Sequence, residues 1–107
     1  TFTFDLAAAL VTLLDVNSYG IYHVTNNGQC SWYDFAKEIF RIANKPEVVV
    51  RPILSEQFRS AAKRPSFSVM ANTRFAQLGI APLPDWKVSL GEYFRRREIS
   101  RSVLKSA

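Results

Sequence analysis

The chain has 107 residues, of which 48% are hydrophobic and 21% charged. That balance excludes wholesale disorder and allows one domain with a modest core. The formal charge is +5, no apolar run reaches the roughly 18–20 residues of a membrane span, and the single cysteine, Cys30, excludes an internal disulfide.

In chain order, "TFTFDLAAALVTLLD" (1–15) predicts a helix, with Thr3 as its cap and Asp5 in the first turn, where the dipole favours an anion. Leu6, Leu10, Leu13 and Leu14 recur at helical spacing. "NSYG" (17–20) is a turn cluster, and "GIYHVT" (20–25), β-branched and aromatic, predicts a strand ended by "NNG" (26–28). "SWYDFAKEIFRIAN" (31–44) is the clearest helix. Ser31 caps it, Asp34 stands at N3 as in a capping box, and Trp32, Phe35, Ile39, Ile42 and Ala43 share one apolar face.

"VVVRPIL" (48–54) predicts a second strand, with Pro52 marking an edge or an end. Residues 55–71 keep no period and are long for a plain connection, and long ordered loops tend to carry function. "NTRFAQLG" (72–79) predicts a short helix with Asn72 as cap and Gly79 at C′. "APLP" (81–84) breaks the chain before a last helix over 85–98, capped by Asp85 and turning Trp86, Leu90, Tyr93 and Phe94 inward. The order α-β-α-β-loop-α-α predicts an α/β fold: about four helices and two short parallel strands joined by a right-handed crossover. The expected core gathers Trp32, Phe35, Ile39, Trp86, Leu90 and Phe94 against the strands. Two strands are few for a free-standing parallel sheet, so this reads as part of something larger. A start at Thr1 rather than Met fits that expectation.

The charge is uneven. Residues 1–56 carry net −2 and residues 57–107 net +7, much of it in "RRREISRSVLK" (95–105). No aromatic residues interleave with these charges as they do on a single-strand stacking surface, so a solvated helix end is preferred over a nucleic-acid interface. Chemistry is sparse. Neither a G-x-G-x-x-G nor a G-x-x-x-x-G-K-[ST] loop occurs. His23, the one histidine, sits mid-strand and reads as structural. Cys30 reads as a half-buried residue at a helix start, and one cysteine fits a reducing, cytoplasmic compartment. No catalytic residue, metal ligand or cofactor contact is assigned to this chain.

"TFTFDLA" (1–7), "YGIYHVTNNGQCSWYDFAKEIF" (19–40), "AAKRPSFSV" (61–69) and "LGIAPLPDWKVSLGEYF" (78–94) resemble the C-terminal part of the dTDP-4-dehydrorhamnose reductases, extended short-chain dehydrogenase/reductases. The resemblance runs in order to Phe94, dividing the chain into a substrate-binding portion (1–94) and a basic tail of unknown role (95–107). It implies a parent enzyme that uses NADPH or NADH on an N-terminal Rossmann sheet, absent here together with the catalytic Tyr-x-x-x-Lys pair. Tyr33 and Lys37 satisfy that bare spacing, but they lie in the C-S-W helix rather than the family's catalytic helix.

The resemblance also implies a ligand site. In the wider superfamily an arginine of the C-terminal loop contacts the diphosphate of the sugar nucleotide, and Arg64 stands at the matching K-R-P place. A guanidinium grips phosphate oxygens bidentately and stays charged. Lys63 and Ser68 are the accompanying candidates, for a diffuse charge and a hydrogen bond. The expected function is the dTDP-sugar-binding portion of a reductase, inactive by itself and without a membrane partner. Apolar surface left uncovered by the missing sheet predicts a homo-oligomer. Two alternatives stand beside it: a non-catalytic regulatory subunit resembling the β subunit of methionine adenosyltransferase, which shares an R-P loop, and a nucleic-acid-binding domain using the basic half.

Overall fold

A computed structural model describes residues 1–58, 61, 62 and 64–106, with side chains through 98. Four α-helices form among them: α1 (Thr3–Leu14), α2 (Trp32–Ile42), α3 (Thr73–Gln77) and α4 (Trp86–Ser106), with a 3-10 turn at Ser55–Gln57. None is long and apolar enough to cross a membrane. The chain divides into two compact units: unit 1 joins Thr1–Gln29 to Met70–Ala107, and unit 2 is Cys30–Val69.

The helix ends follow from local chemistry. Ser31 and Asp34 close a full capping box, the Ser31 Oγ accepting from the Asp34 N–H at 3.1 Å while the Ser31 N–H donates back to the carboxylate. At the other end of α2, Asn44 takes a left-handed φ of 52°, and Lys45 N–H reaches back to the Phe40 carbonyl at 3.0 Å, a Schellman closure. Gly79, at φ 72°, ends α3 with its own left-handed residue, its N–H bonding the Ala76 carbonyl at 3.0 Å. Asp85 caps α4 by accepting from the Lys87 N–H at 2.9 Å. Thr3 is the first helical residue of α1 rather than its cap, a place held by Phe2, which makes no side-chain cap bond.

Neither expected strand forms a ladder among the described residues, so the α/β reading with two parallel strands is corrected to four helices with extended connections. Residues 20–25 keep the period of a strand: Tyr22 and Val24 pack on the core while Ile21 and His23 are exposed. A strand also needs a neighbour to take its backbone groups. At Thr25 that partner is the side chain of Asn72 instead. Among the described residues the pairing present is an isolated parallel bridge, Asn27 with Asp85. Gly28 beside it has φ 80°, and a Cβ there would stand 2.6 Å from Asp85 Oδ2, so the "NNG" turn requires its glycine.

Unit 1 packs Ala9, Phe75 and Leu83 as its buried centre, with Leu13, Tyr22, Val24 and Ile80 against them. The expected six-residue core is therefore corrected. Its members divide between the units: Trp86, Leu90 and Phe94 in unit 1, Trp32, Phe35 and Ile39 in unit 2. Only Leu90 of the six is buried, and Trp32 is 86% exposed. The periodicity identified an apolar face on α2 correctly. It did not reveal that Trp32, on the first turn, lies beyond the packed part of that face.

Candidate functional site

Pro65 has a fixed φ and pushes the residue before it toward extended backbone, so the K-R-P segment cannot continue any helix. Arg64 accordingly lies on irregular chain in unit 2, exposed, and forms no hydrogen bond or ion pair among the described residues. Ser68, four residues on, is exposed in the same run. Lys63 lies outside the described residues. The loop thus presents one unengaged guanidinium and one hydroxyl, which suits an anion with several oxygen acceptors.

Three other cations of unit 2, Lys37, Arg41 and Lys45, have partners of their own, whereas Arg51 is exposed and, like Arg64, forms no hydrogen bond or ion pair among the described residues. A groove of about 390 Å³ runs between α2 and residues 44–50, floored by Phe40, Val48 and Val50, with Tyr33, Lys37 and Lys45 among its polar lining. The Lys37 ammonium rests over the Tyr33 ring, 5.1 Å from its centroid, which places it on the ring face. Arg41 is held by Glu38 through two bonds of 2.8 and 2.7 Å, and the Glu38 hydrogen bond raises the Arg41 pKa above its ordinary value. Lys45 stands 3.8 Å from Glu47. Freedom from partners therefore does not by itself separate Arg64 from Arg51; the K-R-P motif is what makes the loop the candidate anion site.

The remaining sequence candidates separate. His23 and Cys30 are both exposed and fall in different units. Cys30 is therefore not the half-buried residue its position implied. Among the described residues no three His, Cys, Asp or Glu side chains gather as a metal site.

One cluster escaped the sequence reading. Asn26, 8% exposed, accepts from the Phe2 N–H at 2.7 Å, and its side-chain amide faces Asp5 Oδ2 at 2.7 Å, Ser89 Oγ at 2.9 Å and the Pro84 carbonyl at 3.0 Å. Ser89 Oγ donates to the same Asp5 oxygen at 2.5 Å. This knot ties α1, the "NNG" turn and α4 together inside unit 1. Its members are 21 to 63 residues apart from Asn26, so no local spacing announces it. The doubled asparagine after a strand-like run was the available signal.

Comparison with known proteins gives the family. The model of the RmlD substrate binding domain matches residues 1–99. A probable dTDP-4,6-dihydroxy-2-methyloxan-3-one 4-ketoreductase of Streptomyces antibioticus is 40% identical over 95 residues, covering 88% of this chain and 32% of the relative. The crystal structure of a dTDP-4-dehydrorhamnose reductase of Clostridium acetobutylicum is similar at TM-score 0.84 and 41% identity, over 90% of this chain and 34% of that one. A dTDP-4-dehydrorhamnose reductase of Bacillus anthracis, solved in complex with NADP, is similar at TM-score 0.78 and 37% identity, over 87% of this chain and 32% of that one. The chain belongs to the RmlD substrate binding domain family. It spans about a third of the length of these relatives.

Proposed function

We propose that this chain is the sugar-nucleotide-binding part of a reductase that converts dTDP-4-dehydro-L-rhamnose to dTDP-L-rhamnose with NADPH or NADH. The observation that carries the reading is the exposed, unengaged guanidinium of Arg64 in a chain 41% identical to a dTDP-4-dehydrorhamnose reductase. Arg64 grips the diphosphate through paired N–H donors, Ser68 donates its hydroxyl to a phosphate oxygen, and Lys63 adds charge nearby. Pro65 limits the backbone entropy lost when the loop orders on the ligand.

The sequence offers no glycine-rich loop to hold a nicotinamide nucleotide, so no step of the reduction is assigned to its residues. Residues 95–107 are read as a basic tail outside this role. A cytoplasmic location accompanies the reading, and the exposed Leu10, Val11 and Leu14 of α1 support self-association.

The test is calorimetric titration of the chain with dTDP and with inorganic phosphate. dTDP should bind preferentially, and Arg64→Ala should weaken it by about 1.5–3 kcal/mol, roughly tenfold to a hundredfold. Arg64→Lys should recover part, because an ammonium keeps the charge and loses the planar fork. Unchanged dTDP affinity in a folded Arg64→Ala variant would make the R-P loop ordinary surface.

A further inference from the structure

We propose that Asn27–Gly28 is a self-modification site, at which the asparagine converts to aspartate and isoaspartate. Asparagine is among the thermolabile residues. Its conversion needs a side-chain amide that is free to turn and, next along the chain, an accessible backbone nitrogen. The five asparagines of this chain differ in both respects. Asn26 is buried, its amide bonded to Asp5, Ser89 and the Pro84 carbonyl. The Asn72 amide is bonded to Thr25. Lys45, which follows Asn44, has its N–H committed to the Phe40 carbonyl. Asn17 is exposed, but Ser18 carries a Cβ beside the nitrogen that would react. Asn27 meets both needs. It is exposed, and its side chain makes no hydrogen bond among the described residues. The residue after it is a glycine, which has no Cβ and whose N–H has no acceptor among them.

The Gly28 nitrogen attacks Asn27 Cγ. An N–Cγ bond forms, the Cγ–Nδ2 bond breaks, and the amide leaves as ammonia, taking the proton of the Gly28 N–H. Water then opens the cyclic imide, with no oxidant or cofactor. Opening at Cγ gives aspartate, and opening at the main-chain carbonyl carbon gives isoaspartate. The place of the site gives the reaction a consequence. Asn27 N–H donates to the Pro84 carbonyl at 3.0 Å, and the Asn27 carbonyl accepts from the Trp86 N–H at 3.0 Å. The second bond serves a donor in the first turn of α4, which has no acceptor inside the helix. Isoaspartate lengthens the main chain by one carbon and turns the carbonyl that serves Trp86 into a pendant carboxylate, so the bridge loses its register. Either product also puts a negative charge at the residue bridged to Asp85, the cap of α4. The bridge is isolated, so it opens locally at little cost and lets the Asn27 backbone turn to the reactive geometry.

The experiment ages the full chain at mildly alkaline pH, where the attacking nitrogen loses its proton more readily, and maps the products by mass spectrometry with fragmentation through residues 26–28. Conversion should fall on Asn27, at a rate within roughly tenfold of that in denaturant, where nothing restrains the dipeptide. A protein-isoaspartate O-methyltransferase supplied with S-adenosylmethionine should label the aged chain, and neither the fresh chain nor aged Asn27→Gln, whose longer side chain closes the ring poorly. The aged chain should unfold at a lower denaturant concentration than the fresh one, whereas Asn27→Gln keeps its midpoint through the same treatment. Native conversion slower than that range, or conversion at Asn17 in preference, would overturn the site. Conversion at Asn27 with an unchanged midpoint would overturn its effect on the bridge.

Discussion

Unit 1 is tied together by groups far apart in the chain: Asp5 with Ser89, Asn26 with Pro84, Thr25 with Asn72. Phe75, 2% exposed, sits inside it. The side-chain hydrogen bonds described in unit 2 close over three residues, as in Ser31 with Asp34, Arg41 with Glu38 and Leu54 with Gln57. No residue of unit 2 is buried among those described. One unit therefore holds its shape by long-range contacts, which form together or not at all. The other is shaped locally and keeps its aromatic and cationic side chains at the surface, where a ligand can order them. If the proposed site holds, stability and recognition fall to different stretches of the same chain.

The largest expected effect breaks unit 1. Phe75→Ala removes its most buried side chain and should cost about 3–5 kcal/mol in denaturant unfolding. That is a large part of a small domain's stability. Asn26→Ala comes next. It leaves the Asp5 carboxylate, Ser89 and the Phe2 N–H short of a partner, and should cost about 2–3 kcal/mol, read as a lower denaturation midpoint with an unchanged slope.

The same truncation in unit 2 sharpens the contrast: Trp32→Ala should change stability by less than about 1 kcal/mol, as expected of an exposed site. A cost as large as that of Phe75→Ala would mean that the two units share one core. The smallest effect is electrostatic and belongs to unit 1. Hydrogen bonds from Arg95 and then Arg96 hold the partly exposed Glu92 carboxyl at about 2, below its ordinary 4.5. A depressed carboxyl stabilises the fold above its unfolded pKa and loses that contribution as pH falls through the folded one. Melting temperature should therefore decline between about pH 4.5 and 2 more steeply in the parent than in Glu92→Gln. Added salt should narrow the difference, because the group is at the surface.

Sequence reading located what local chemistry determines. The cap of α2 at Ser31, the left-handed closure at Gly79 and the Asp85 cap of α4 each depend on residues within a few positions. The end of α4 was placed too early, at 98 instead of Ser106: arginine, glutamate and serine lack the apolar period used to follow a helix, yet propagate one well. The strands failed for the opposite reason. "GIYHVT" and "VVVRPIL" have strand composition, but a ladder is a property of two segments, and composition describes one. The Asn26 knot was invisible for the same reason. Arg64 was nominated by its motif alone, while the exposure of Trp32 was not legible, because an apolar period tells which residues share a face and not how far along the face the packing extends.

Unit 1 is discontinuous, and its chain departs and returns close to one clasp. Thr25 N–H and Oγ1 both donate to Asn72 Oδ1 at 3.1 Å, and Asn72 Nδ2 donates to the Thr25 carbonyl at 2.7 Å. Whatever lies between Gln29 and Met70 is therefore a closed excursion from a frame fastened at its neck. Lengthening such an excursion is entropically cheap, about 0.6 kcal/mol for each doubling of a flexible loop. The frame can accept a rebuilt excursion without losing Phe75 or the Asn26 knot.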